Sequence, residues 1–222
     1  MSGGETGGSA NGAAERSAAV VDGGGALPGP DGRLRCPWGT TAEDYAAYHD
    51  TEWGHAVHGD DALFERLCLE AFQSGLSWLT ILRKRENFRA AFAGFRIAEV
   101  AAFTAQDERR LLADPGIVRN RAKITAALGN ARVAAAWRPG ELDRLVWSYA
   151  PDHTARPAPR TLGEVPASTP ESTALSKELK KRGFRFVGPT TAYALMQACG
   201  LVNDHLADCW ARPGAAAPLS AR

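Results

Sequence analysis

The sequence predicts an all-α domain, and two observations carry that prediction. Apolar residues recur at helical spacing through most of the chain, and no segment sustains the period-two alternation of β-branched residues that a half-buried strand needs. Residues 1–33 are Gly/Ala/Ser-rich, with no large apolar residue before Leu27, and are expected to form a disordered tail because they cannot bury enough surface to offset ordering entropy. The folded domain is expected over 34–212, with 213–222 as a second disordered tail. Helical spacing covers 61–72 through Leu63, Phe64, Leu67, Cys68, Ala71 and Phe72, and resumes at 77–82 with Trp78, Ile81 and Leu82. Asp107 is placed to cap a short helix through Leu111 and Leu112 that Pro115-Gly116 ends. An Ala-rich helix is expected over 119–136 and a shorter one over 141–149, carrying Leu145, Val146 and Trp147. Residues 151–170 hold five prolines and read as an irregular connection. A helix over 171–182 then leads through a tight link, 183–188, to a helix opened by Pro189 and running to Ala198.

Composition narrows the functional classes. A formal net charge of +1 on 222 residues gives no global field to attract nucleic acid, so any basic surface must be local. The four cysteines, 36, 68, 199 and 209, show no disulfide framework, and Cys68 and Cys199 sit in apolar helical patterns as ordinary buried thiols. No apolar run approaches 18 residues and no basic-then-apolar signal opens the chain. A soluble protein of a reducing compartment, the cytoplasm, is expected, with no membrane partner and nothing that demands more than a monomer.

Three constellations carry chemistry. Cys36 and His49 read C-x12-H, and His205 and Cys209 read H-x3-C near the other end of the domain. A histidine and a cysteine four apart on a helix share a face, and two Cys with two His fill every corner of a tetrahedral zinc site, leaving no open position for a water. Such a zinc would be structural and would tie the two ends of the domain together. The spacing matches no common local zinc pattern, so spacing alone leaves open four residues with no shared partner.

The second constellation is the link 183–188, a helix-hairpin-helix with glycines at both ends. Such a link presents backbone N–H groups at the start of the next helix, where a phosphate can settle beside Arg185 and Lys181. An ordinary helical hairpin with a solvated basic face, Lys177, Lys180 and Lys181, fits the same residues. The third is aromatic. Trp38, Tyr48 and Trp53 fall close to Cys36 and His49, and Glu70, Gln73 and Trp78 follow within one helix and turn. Aromatic walls with one carboxylate suit a flat, electron-poor or cationic ring, although the pattern equally allows a tryptophan core with Glu70 on a solvated helix edge.

Read together, these segments resemble a known family. The likeness runs through 35–38 (Arg-Cys-Pro-Trp), 48–54 (Tyr-His-Asp-Thr-Glu-Trp-Gly), 69–78 (Leu-Glu-Ala-Phe-Gln-Ser-Gly-Leu-Ser-Trp), 82–88, 116–124 (Gly-Ile-Val-Arg-Asn-Arg-Ala-Lys-Ile), 175–177, 180–191 and 196–205. In order and nearly verbatim over 35–210, they are similar to the DNA-3-methyladenine glycosylase I family of the helix-hairpin-helix glycosylase superfamily. The resemblance implies a helix-hairpin-helix glycosylase fold with one structural Zn2+ on Cys36, His49, His205 and Cys209. It implies a base pocket on Glu70, Tyr48, Trp38 and Trp78, with Trp53 and Gln73 as weaker members, Glu70 being the catalytic candidate. DNA contacts are expected at Lys181, Gly183, Arg185, Gly188 and Thr190. Phe72 departs from the polar residue some relatives carry.

The implied activity is hydrolytic excision of N3-methyladenine from alkylated double-stranded DNA, releasing the free base. Relatives that also cut the strand carry a lysine where this chain has Thr190, and an aspartate where it has Asn203. A hydroxyl cannot form a Schiff base, so a monofunctional hydrolase is expected. Asp204, next to Asn203, stays open as a contributor. A catalytically silent helix-hairpin-helix DNA-binding module is the alternative; the hairpin alone would suffice for it.

Overall fold

The helix Asp60–Gln73 organises the molecule. It is apolar almost all round, burying Leu63, Phe64, Leu67, Cys68, Leu69, Ala71 and Phe72, which is the signature of a helix enclosed by others. The computed structural model describes residues 24–152 and 157–212; the expected tail segments 1–23 and 213–222, and His153 in the proline-rich connection, lie outside the described residues.

In chain order the described helices are α1 (Glu43–Thr51), α2 (Asp60–Gln73), α3 (Trp78–Ala91), α4 (Ile97–Ala101), α5 (Ala105–Ala113), α6 (Arg121–Ala135), α7 (Glu141–Trp147), α8 (Pro170–Lys181) and α9 (Pro189–Ala198). Helices α3, α6, α7 and α9 pack around α2, and α8 lies along α9. A stack of rings, Phe72, Phe88, Phe92 and Phe95, fastens α2 to α3 and the turn that follows it. Gly200, at φ +74°, ends the α9 segment where an added Cβ would lie 2.7 Å from the His55 backbone, so only glycine allows that approach. No helix among the described residues is long and apolar enough to cross a membrane.

Two expectations need correcting. The mostly helical chain also carries a two-strand antiparallel pair, β1 (Leu27–Pro28) against β2 (Leu34–Arg35), whose first strand falls inside the stretch expected to be a tail. Polar contacts rather than apolar burial hold it: Arg35, 5% exposed, donates to Asp31 at 2.6 and 2.7 Å and to Asp50 at 2.9 and 2.7 Å. Asp107 does not cap α5. Thr104 is the N-cap, its hydroxyl accepting from the Gln106 and Asp107 amides, while the Asp107 carboxylate accepts from the Thr104 amide at 2.9 Å. Asp107 is thus the third helical residue of a reciprocal capping box. Cys68 and Cys199 are buried thiols as expected, and burial pushes Cys199 up to about 12.

Candidate functional site

Helix α1 is amphipathic in an unusual sense, because adjacent residues serve two different sites. Tyr45 and Tyr48, three apart, point to one side, and His49 points to the next. All three are buried. Gly39, in the short 3-10 turn Pro37–Thr40, has no Cβ; one added there would lie 2.8 Å from the His49 ring, so the turn can press flat against α1. That approach brings Trp38 edge-on to Tyr45 at 5.6 Å, to His49 at 5.0 Å and to Trp53 at 5.0 Å.

On one side of this indole layer lies a pocket lined by Trp38, Tyr45, Tyr48, Trp53, Glu70, Gln73, Trp78 and Ala194. Glu70 comes from the last turns of α2 and is only 6% exposed, so the solvated-edge reading of its position does not hold. Trp78 opens α3 under a Ser77 cap and faces Tyr48 at a ring separation of 5.4 Å. Its indole N–H is buried with no hydrogen-bond partner among the described residues. Gln73 donates to the Leu76 carbonyl at 3.2 Å and so bridges the loop between α2 and α3. At that loop's tip Gly75 takes φ +78° and Leu76 is 38% exposed. Phe72 faces away, packed on Phe88 at 4.7 Å. Sequence reasoning missed Tyr45 and Ala194. Tyr45 was signalled by its three-residue spacing from Tyr48; Ala194 carries no chemical signal.

On the other side Cys36, His49, His205 and Cys209 converge, all buried, with their ligand atoms within 4.8 Å of one another. Cys209 Sγ lies 3.4 Å from His49 Nε2 and 3.5 Å from His205 Nδ1, and Cys36 Sγ lies 3.9 Å from His205 Nδ1. Each imidazole spends its other nitrogen elsewhere: His49 Nδ1 donates to Asp50 at 2.8 Å, and His205 Nε2 to the Trp53 carbonyl at 3.1 Å. Both therefore direct a lone pair into the cluster. Burial pushes the Asp50 carboxyl up, but hydrogen bonds from Arg35 and His49 outweigh it and hold the group below its ordinary range. Hydrogen bonds from Cys36, His205 and His49 hold the Cys209 thiol down, while its hydrogen bond to Cys209 and burial push Cys36 up. This set could hold a metal ion with no corner left for a reactant.

The hairpin residues sit apart from both. Lys181, Gly183, Arg185 and Thr190 are exposed between α8 and α9, and Gly188 is the N-cap of α9 without a capping side chain. Phe186, in the same link, is 42% exposed and takes φ +57°. Asp204 is buried beneath, accepting from Tyr193 Oη at 2.6 Å and Gln197 Nε2 at 2.8 Å, and does not line the pocket. Asn203 accepts from the His205 amide at 3.2 Å.

A family model described as methyladenine glycosylase matches residues 38–212. The chain is 50% identical over 182 residues to DNA-3-methyladenine glycosylase 1 of Escherichia coli (strain K12), covering 81% of this chain and 97% of that one. It superposes on a crystal structure of 3-methyladenine DNA glycosylase I with a TM-score of 0.73 and 47% identity, covering 79% and 98% of the two chains. A Staphylococcus aureus 3-methyladenine DNA glycosylase I, solved to explain 3-methyladenine recognition, matches with a TM-score of 0.72 and 37% identity, covering 81% and 96%.

Proposed function

The chain belongs to the methyladenine glycosylase family, and we propose from its pocket that it extrudes an N3-methyladenine nucleotide from alkylated DNA and hydrolyses the N-glycosidic bond. The observation that carries this reading is a buried carboxylate, Glu70, inside a wall of indoles and phenols. Methylation at N3 places positive charge on the purine, which already weakens the bond to the sugar, so little acid catalysis is needed. The protein's work is to hold the cation and to favour the oxocarbenium sugar that develops as the base leaves.

Extrusion costs a few kcal/mol, least at a poorly stacked damaged base. Stacking on Trp38, Tyr48 and Trp78 returns roughly 1–3 kcal/mol per contact, with a cation–π part that unmodified adenine lacks. Glu70 accepts from the amino edge of the adenine and opposes its charge. The unmet Trp78 N–H offers a donor to the base, and Tyr45, whose hydroxyl accepts from the Leu79 amide at 2.9 Å, keeps the start of α3 in place. Leu76, apolar and exposed on the loop joining the Glu70 and Trp78 helices, is suited to fill the gap in the duplex. The phosphate backbone settles on the first-turn amides of α9, with Lys181, Arg185 and Thr190 around it. Thr190 supplies no amine, so water attacks the sugar and the strand stays intact.

The Cys/His cluster holds a structural Zn2+ in this reading. A zinc tetrahedron with Zn–S near 2.3 Å and Zn–N near 2.0–2.1 Å has S···N edges of about 3.6 Å, and three of the four S···N separations here are 3.4, 3.5 and 3.9 Å. The domain acts as a monomer on chromosomal DNA in the cytoplasm.

The test is release of free base from methylated duplex DNA, wild type against Glu70→Gln. Wild type releases 3-methyladenine without nicking, and the variant is slower by about 10²-fold. Nicking in step with release would overturn the monofunctional reading. No release by folded wild type would leave a silent DNA-binding module.

A further inference from the structure

Helix α6 reaches both working parts of the molecule with buried polar side chains, although it lines neither. Its buried face is otherwise apolar: Ile124, Ala126, Ala127, Leu128, Ala131 and Ala134. Lys123 and Asn130 interrupt it at 8% and 3% exposure. Seven residues is nearly two full turns, so the two side chains share a face about 10 Å apart along the axis. Polar groups inside a core are retained at a cost unless they are bonded; each of these is bonded, to a different site.

Lys123 Nζ donates to the Phe72 carbonyl at 2.9 Å and to the Ser74 carbonyl. These belong to the C-terminal end of α2, where carbonyls lack intrahelical partners and the helix dipole favours a cation. Here α2 ends at Gln73, which lines the pocket, and turns into the loop that carries Leu76. Asn130 Oδ1 accepts from the Arg185 amide at 2.8 Å while its Nδ2 donates to the Arg185 carbonyl at 3.0 Å. A side-chain amide thus pairs with a main-chain residue as a neighbouring strand would, at the centre of the hairpin and next to the strained Phe186. Val133, one turn further along α6, lies 3.2 Å from where a Cβ on Gly183 would be, so the hairpin is seated against this helix.

We propose that α6 is a spacer, latched to the pocket rim by Lys123 and to the hairpin by Asn130, which sets the distance between the phosphate the hairpin holds and the nucleotide entering the pocket. The proposal rests on the glycosylase reading. Neither residue touches DNA or base; both are positioning residues. The strand held at the hairpin is the strand whose base must reach Glu70, and displacement by about 1 Å can cost about 10²-fold in rate. A loosened latch should leave each site competent alone while spoiling their joint use.

The experiment compares Lys123→Met, Asn130→Ala and the double variant, after circular dichroism and melting show each to be folded. Three quantities are measured: affinity for free 3-methyladenine, affinity for duplex DNA containing an abasic site, and the single-turnover rate of base release from methylated DNA. The expected result is near-normal binding of the free base by all three variants, and single-turnover release slower by roughly tenfold to 10²-fold in each single variant. The double variant should be about as slow as the slower single, because a spacer released at one end no longer sets the distance. Lys123→Arg, which keeps a buried cation with several donors, should restore much of the rate, and Asn130→Ala carries the test should Lys123→Met not fold. Rates that multiply in the double variant, loss of free-base binding in parallel with release, or release at the wild-type rate from Asn130→Ala would each overturn the spacer. Failure of the glycosylase reading is a separate outcome: wild type itself would release no base.

Discussion

The Cys/His cluster and the aromatic pocket share a wall, Trp38 and Trp53, but are finished in opposite ways. Around the cluster each polar atom is matched: Asp50 accepts from His49, Arg35 and Trp210, and Trp53 accepts from His205 through its carbonyl. Around the pocket a buried indole N–H goes unmet among the described residues, and a carboxylate is enclosed by rings. A fully matched, closed cluster favours the fold; an unmet donor in a pocket wall favours a ligand at the fold's expense. Trp53 connects the two, presenting a ring to the pocket and a carbonyl to His205, so the cluster steadies one wall of the pocket.

The sharpest way to break the comparison is Cys209→Ala. On the zinc reading proposed above, it removes one ligand and leaves His49, His205 and Cys36 buried without their partner, while linking the chain ends no longer. The melting temperature should fall by roughly 10 °C, with the fraction that remains folded still releasing base. A chelator applied to wild type should reproduce the fall. An unchanged melting temperature in a variant shown to have lost its metal would remove the cluster's role in folding.

Glu70→Gln should do the reverse. Its slowed excision should come with a much smaller change in melting temperature than Cys209→Ala gives, since the amide has nearly the same shape as the carboxylate. A clear loss of stability would mean that Glu70 serves the fold first and the base second.

How far these regions were readable beforehand depends on the kind of signal each leaves. The four cluster residues are chemically distinctive, so the set could be named before any distance was known; the helix expected to put His205 and Cys209 on one face is absent, and turns after α9 bring them together instead. Helices α2, α6, α8 and α9 followed from apolar spacing to within two residues. The burial of Glu70 did not follow from pattern, because a carboxylate on an apolar helix can sit at a solvated edge; what encloses it is α1 and the turn of Trp38, which are remote in sequence. The β1–β2 pair left no hydrophobic signal because Arg35 and its two aspartates hold it. Thr104 and Asp107 were both visible, but either can cap a helix, and only the reciprocal bonds assign the cap to threonine. The latches of α6 are less legible still. Lys123 and Asn130 look like surface residues of an Ala-rich helix until their partners, the carbonyls after α2 and the Arg185 peptide, are known.

The smallest expected effect concerns the helix that serves both regions. α1 supplies Tyr48 to the pocket and His49 to the cluster, and its C-terminal flank, Glu52, is gripped by Arg85 at 2.6 and 2.8 Å and by Arg66 at 3.3 Å. Burial pushes the Glu52 carboxyl up, but the Arg85 hydrogen bonds and the surrounding arginines outweigh it, leaving it below its ordinary value. A carboxyl lowered in the folded state binds its proton more readily once unfolded. Its stabilisation is therefore fully present above the unfolded value, about 4.3, and is lost as pH falls through the folded one. The pair is partly exposed, with 29% and 14% of the two side chains accessible, so screening limits the effect. Glu52→Gln should lower stability by about 1 kcal/mol at pH 7, the gap to wild type closing below about pH 4. Urea midpoints of the two proteins between pH 7 and pH 3 measure it. A gap that persists at pH 3 would assign the loss to altered packing at the end of α1 rather than to charge, and the anchor shared by pocket and cluster would then be steric.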